Sequence, residues 1–204
     1  MYANDHLAVD LDNTVYAPDS TTIELCLSLF RWTRFSSDTA AVKIHTLLDL
    51  RGPIPAFIEV STAKKADVKI LDTINPEPGA FYVRDRGYVD FARLHRLHQA
   101  SALFVTRTRK GIRFKRRYSR PVDRTTGLRS DQTVVLAHPR SRKRYPEPLR
   151  LIRFYDETQA RYFRFVTNNF NLPALMICQL YKCRWQVEPE LCTALSPRLR
   201  AETQ

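Results

Sequence analysis

Two β-patterned runs lie almost back to back in the first third of the chain. Ala40–Leu50 carries Val42, Ile44, Thr46 and Leu48 at alternate positions, and Ile54–Ser61 follows after only Arg51-Gly52-Pro53. Alternation at period two marks strands, and so short a connection leaves an antiparallel hairpin as the solution. A strand around Thr14–Ala17 precedes the pair and delivers Asp19 at its end, so the three runs predict a meander. Ile23–Phe30 reads as a short helix or turn. Helical and extended patterns then alternate. Lys64–Ile74 has helical spacing through Val68, Leu71 and Ile74 and is stopped by Asn75-Pro-Glu-Pro-Gly79. Ala80–Val83 is a short β-prone run, Asp90 can cap a helix over Phe91–Gln99, and Ala102–Thr106 reads as a further strand. A meander followed by helical crossovers predicts an α/β fold, a mixed sheet flanked by helices.

From Arg107 the character changes. Ile112–Arg120 is basic and β-like, and Gln132–Leu136, Leu149–Tyr155 and Tyr162–Thr167 are strand candidates. His138–Pro146 reads as a basic connector between them. The stretch is too long for a bare loop in a compact domain. It is expected to be an all-β insertion over residues 107–168, dividing a core that begins at 7–106 and is completed by a helix within 169–188. Residues 189–204 read as a divergent tail.

Hydrophobic residues make up 44% of the 204, enough for a packed core, and the net charge is +12. That excess favours a polyanionic partner, nucleic acid first. Cys26, Cys178, Cys183 and Cys192 form no C-x-x-C pair and lack zinc-finger histidine spacing, so free reduced thiols are expected. No signal peptide opens the chain and no apolar run approaches the roughly 20 residues that span a bilayer. The reading is a cytoplasmic protein with no membrane partner.

Asp19 follows the first strand and Asp85 the fourth. The topology can bring those two strand ends side by side. Pro173 stands where a helix can start, and on that helix Tyr181, Arg184 and Glu188 share one face. Three carboxylates converging at one sheet edge repel unless a cation sits among them, and oxygen-only ligands suit a hard ion such as Mg²⁺ or Mn²⁺. The structural alternatives are a turn or cap at Asp19, a surface ion pair of Asp85 with Arg84 or Arg86, and an ordinary charged stripe on the helix. His45, His95 and His98 read as surface or helix-face residues. The run Lys110–Arg120, interleaved with Phe114 and Tyr118, reads either as a track for a nucleic-acid backbone or as a charge-protected edge strand. Lys43 and Arg107 lie near the expected sheet edge, without a direction fixed.

Tyr181-x-x-Arg184-x-x-x-Glu188 resembles the Y-(2)-R-(3)-E-(6)-K signature of DDE transposases of the insertion-sequence-four type. Val15-Tyr-Ala-Pro-Asp19-Ser-Thr-Thr22 is similar to the segment around their first catalytic Asp, and Tyr82-Val-Arg-Asp85-Arg-Gly-Tyr88 to that around the second. The resemblance covers almost all of residues 7–188. It implies a ribonuclease H-like core in which Asp19, Asp85 and Glu188 are catalytic and hold two divalent ions, Mg²⁺ or Mn²⁺. It implies strand cleavage at transposon ends and strand transfer to target DNA by a homodimer, nucleoid-associated when bound. It places Tyr181 and Arg184 on the DNA phosphate near the cut. Arg86, Lys115, Arg116 and Arg117 are the further DNA-binding candidates.

The chain departs from the signature after Glu188. Leu195 stands where the final Lys is expected, and Pro189 directly follows Glu188, which disfavours a helical conformation at that residue. No end-recognition domain precedes the first Asp. The expectation is therefore a truncated catalytic core, with a non-catalytic DNA-binding remnant and a stand-alone nuclease of the same fold as the rival readings.

Overall fold

The computed structural model describes residues 13–25, 40–52 and 54–184. They form one mixed sheet of nine strands with few helices. The strands are β1 (Val15–Leu25), β2 (Ala40–Asp49), β3 (Ile54–Thr62), β4 (Phe81–Arg84), β5 (Leu103–Arg107), β6 (Phe114–Arg120), β7 (Leu128–Leu136), β8 (Leu149–Asp156) and β9 (Arg161–Thr167). Their spatial order is β3-β2-β1-β4-β5-β9-β8-β7-β6. The helices are α1 (Phe91–Gln99), α2 (Pro139–Arg144) and α3, which covers residues 174–184.

The expected meander is present: β1 pairs antiparallel with β2, and β2 with β3. β4 and β5 then pair parallel, β4 against β1 and β5 against β4. The strands from 107 onward do not form a separate layer. β9 pairs antiparallel with β5 and carries β8, β7 and β6 outward in the same sheet.

Alternation along the strands splits the core between the two sheet faces. On one face Val15, Ala17, Phe81, Val83, Val105, Ile152 and Phe165 pack under Ile177, Cys178, Leu180 and Tyr181 of α3. On the other, Tyr82, Phe104, Leu136, Leu149 and Val166 pack under Leu94 and Leu97 of α1, Ile70 and Leu71, and Tyr145. The α3 stripe recurs at helical spacing, as expected for a helix lying flat on a sheet.

Several expectations need correction. β1 runs through Leu25, so Ile23–Leu25 is strand and Asp19 lies inside the strand rather than at its end. Lys64–Ile74 forms only a 3-10 segment, Asp67–Asp72, since Ala66 is extended and offers no side-chain cap. The connector His138–Pro146 contains α2, started by Pro139 at its first turn, so residues 107–168 are not strand alone. His45 is fully buried on β2, its Nε2 2.9 Å from Ser61 Oγ, rather than on the surface. By contrast Asp90 caps α1 as expected, its Oδ1 accepting from the amides of Ala92 and Arg93, both at 3.1 Å.

Candidate active site

β1 and β4 run parallel with Val15 opposite Phe81 and Tyr16 opposite Tyr82. Three residues further along each strand stand Asp19 and Asp85. Continued three residues past the paired Tyr16 and Tyr82, that register brings the two positions level, Asp19 within β1 and Asp85 just after β4. Both continue the alternation of Val15–Ala17 and Phe81–Val83, so they share the face that α3 covers. Asp85 keeps extended backbone angles, φ −79° and ψ 168°, so the alternation holds through it.

Three donors address one oxygen of Asp85. The Arg86 amide donates to Oδ1 at 2.7 Å, the Tyr181 hydroxyl at 2.9 Å, and the Arg107 Nε lies 3.4 Å away. Partial burial works against ionisation, but the amide, the phenol, Arg107 and Arg184 together hold the carboxyl below its usual range. Its side chain is one-third exposed (33%). Asp85 is thus an ionised, oriented carboxylate with an accessible side.

Tyr181 is fully buried, its ring 4.7 Å from Phe165, and burial pushes its hydroxyl well above the ordinary phenol range. It is a donor to Asp85, not a group facing open solvent. Arg184, one helical turn on, is buried with its guanidinium carbon 5.8 Å from the Tyr181 ring. Arg86 is exposed, and its carbonyl and that of Gly87 accept from Arg109 at 2.8 and 2.7 Å, which pins the turn after Asp85. Lys115, Arg116 and Arg117 are exposed on β6, the outermost strand, remote in the sheet order from β1 and β4. Glu188 and Pro189 lie outside the described residues. Among the described residues no group of three or more His, Cys, Asp or Glu gathers at a metal-binding distance.

The ion pair expected between Asp85 and a flanking arginine is not with Arg84. Arg84 points to the opposite sheet face, where its guanidinium is fully buried and no nitrogen finds a hydrogen-bond partner among the described residues. The partner is Arg107 on β5, two positions beyond Val105 on the same face. Its direction depends on β-pairing, which the linear sequence does not display.

Two further contacts seat α3. Arg150 on β8 makes a buried bidentate pair with Asp131 on β7, Nε to Oδ1 2.9 Å and NH2 to Oδ2 2.7 Å. Its NH1 reaches the carbonyl of Leu172 at 2.6 Å, just before the helix. Near the other end Lys182 pairs with buried Asp156 at 2.9 Å. Residue type alone does not distinguish Arg150 from its many basic neighbours. Ile152 and Phe154, in phase with it along the strand, are the signal that it faces the core under α3.

Comparison with known proteins agrees with this geometry. A family model described as "Transposase DDE domain" matches residues 10–194. The chain is 31% identical over 174 residues to "Putative transposase y4zB" of Sinorhizobium fredii, covering 83% of this chain and 48% of that protein. It is 29% identical to "Probable transposase for insertion sequence element IS5377" of Geobacillus stearothermophilus, covering 83% and 45%. The chain spans about half the length of the curated relatives it matches. In fold it is similar to piggyBac transposase, solved as a synaptic complex with hairpin DNA, with a TM-score of 0.50 and 10% identity over 88% of this chain and 40% of that one. Level carboxylates on two parallel strands, and a family match across both of them and the helix that covers them, lead to one conclusion: the chain belongs to the transposase DDE domain family.

Proposed function

We propose that this chain is the catalytic domain of a DNA transposase of the insertion-sequence-four type, with a ribonuclease H-like core in which Asp19, Asp85 and Glu188 form the reacting centre. The observation that carries the reading is the level placement of Asp19 and Asp85 on one face, with Asp85 held ionised and oriented by Tyr181, Arg107 and the Arg86 amide.

The residues present fit a divalent ion. The donors are carboxylate oxygens, and all three contacts to Asp85 use Oδ1, which orients the carboxylate without drawing on Oδ2. Asp19 and Asp85, with Glu188 as the third ligand, would hold two ions, Mg²⁺ or Mn²⁺. Such ions supply Lewis-acid stabilisation to a phosphodiester undergoing in-line displacement. The protein's own contribution is positional. Tyr181 and Arg107 fix the Asp85 carboxylate, Arg109 fixes the turn that follows, and Arg184 and Arg86 place positive charge where a DNA phosphate would lie. Tyr181 acts through Asp85 and is a positioning residue. The substrates are transposon ends and target DNA, and the working unit is a homodimer.

The test is strand cleavage of DNA with Mn²⁺ by the protein and by Asp19→Asn and Asp85→Asn. Each substitution should abolish metal-dependent cleavage while DNA binding in EDTA persists. Cleavage that survives both substitutions overturns the assignment. Binding without cleavage by the unsubstituted protein would leave a DNA-binding remnant.

A further inference from the structure

Among the described residues, the helices leave part of the sheet uncovered. On the face opposite Asp19 and Asp85, α1 and α2 cover the region around Tyr82 and Phe104. Beyond them lies an open groove of about 490 Å³, walled by Phe114 and Arg116 of β6, Gln132 of β7, Arg153 of β8 and Arg164 of β9. Val134 and Leu151 on its floor belong to the same core cluster as Tyr82, which fixes the face. The surface is concave: Arg164 sits 5.8 Å from the Phe114 ring although β8 and β7 stand between their strands.

The charge arrangement in the groove is unfavourable for folding. Arg153 and Arg164 are direct cross-strand partners on β8 and β9. Like charges placed opposite each other on one sheet face destabilise it. Among the described residues, none of Arg116, Arg153 and Arg164 pairs with a carboxylate. The groove carries three guanidinium groups and no acidic residue in its lining. One of the three is stacked on an aromatic ring, which orients it in advance. An anion seated between the strands relieves the repulsion. A groove lined by three guanidinium groups and no carboxylate matches a polyanion better than a single small anion. The net charge of +12 points the same way.

We propose that this groove is a second DNA-backbone site, on the sheet face opposite the carboxylates, with Arg116, Arg153 and Arg164 contacting phosphates. It rests on DNA being the partner, as read above, but not on catalysis. A duplex held here lies on the far side of the sheet from the strand being cut. The domain can therefore hold two DNA segments at once.

The experiment is fluorescence anisotropy with a short labelled duplex of arbitrary sequence, in EDTA, across a series of salt concentrations. The proteins compared are the full chain, Arg153→Gln/Arg164→Gln and Arg153→Lys/Arg164→Lys. Each phosphate contact contributes roughly one to the slope of log affinity against log salt. The Gln pair is expected to lower that slope by about two, and the Lys pair to keep it. Relief of the facing charges should leave the melting temperature of the Gln pair unchanged or higher, which separates lost binding from lost fold. An unchanged slope in a folded Gln pair overturns the proposal, as does an equal loss in the Lys pair. Cleavage by Asp85→Asn in the same preparations separates the two readings. A lowered slope with cleavage intact in Asp85→Asn retains this groove and removes the catalytic assignment. An unchanged slope with cleavage abolished does the reverse.

Discussion

Asp85 shows how one carboxylate can be prepared by its neighbours. The Tyr181 hydroxyl and Arg107 both favour its ionised form. Removing either, as Tyr181→Phe or Arg107→Gln, should weaken Mn²⁺ binding by roughly threefold to tenfold, the worth of about one hydrogen bond. The acid limb of metal binding should also move to higher pH, because the folded carboxyl loses part of what holds its pKa down. Calorimetric titration at a series of pH values measures both effects, and an unchanged acid limb would remove the positioning role. Arg84 is the opposite case: a guanidinium buried without a hydrogen-bond partner among the described residues, whose pKa burial pushes down to about 9. A base with a lowered folded pKa costs stability at neutral pH, and the cost is relieved only as pH rises through that value. Arg84→Met should therefore raise stability, by on the order of the 1–4 kcal/mol gained when buried ion pairs are replaced by apolar volume. Both aspartates stand out in the chain as candidates, because each follows a short β-patterned run. The partners could not: Arg84 and Arg107 exchange the roles that adjacency suggests, since alternation turns neighbours to opposite faces and pairing brings distant residues to the same one.

At the scale of elements, the docking of α3 decides whether a site exists. Arg150 ties β7, β8 and the lead-in to α3 together, so Arg150→Leu leaves buried Asp131 with only the longer 3.5 Å pair to Arg120 and should cost up to roughly 3–5 kcal/mol in denaturant unfolding. The Lys182–Asp156 pair should give an acid-sensitive contribution. Burial alone would raise the Asp156 carboxyl, but Lys182 and Thr158 outweigh it and hold it at about 2. That stability is present above the ordinary carboxylate pKa and is lost as pH falls through about 2, so Asp156→Asn should flatten the acid side of the stability profile. Strands were readable because eight of the nine run for five or more residues. The failures have physical causes. Lys64–Ile74 has helical spacing without a cap, and the fold accepts only a 3-10 segment there. The basic run around α2 has no apolar stripe to announce a helix, and its six residues are shorter than a pattern can establish.

Across the whole molecule, one sheet carries a core on each of its two faces. β1 and β4 are paired on both sides, whereas β3 and β6 form the sheet's outer edges. Amide exchange should be slowest in β1 and β4 and fastest in β3 and β6, and comparable protection at the edges would mean that they are covered in solution. Because β5 joins β9 rather than β6, the pairing Val105↔Thr167 closes over all the intervening strands. The order of synthesis then matters. On the ribosome, Val15, Ala17, Phe81, Val83 and Val105 are made long before residues 177–183, which cover them. A nascent chain carries a bare apolar platform, and half of its aspartate pair's supports, until α3 emerges. During that interval the face that α3 will cover has no helix on it, so that face is completed only once residues 174–184 have been made.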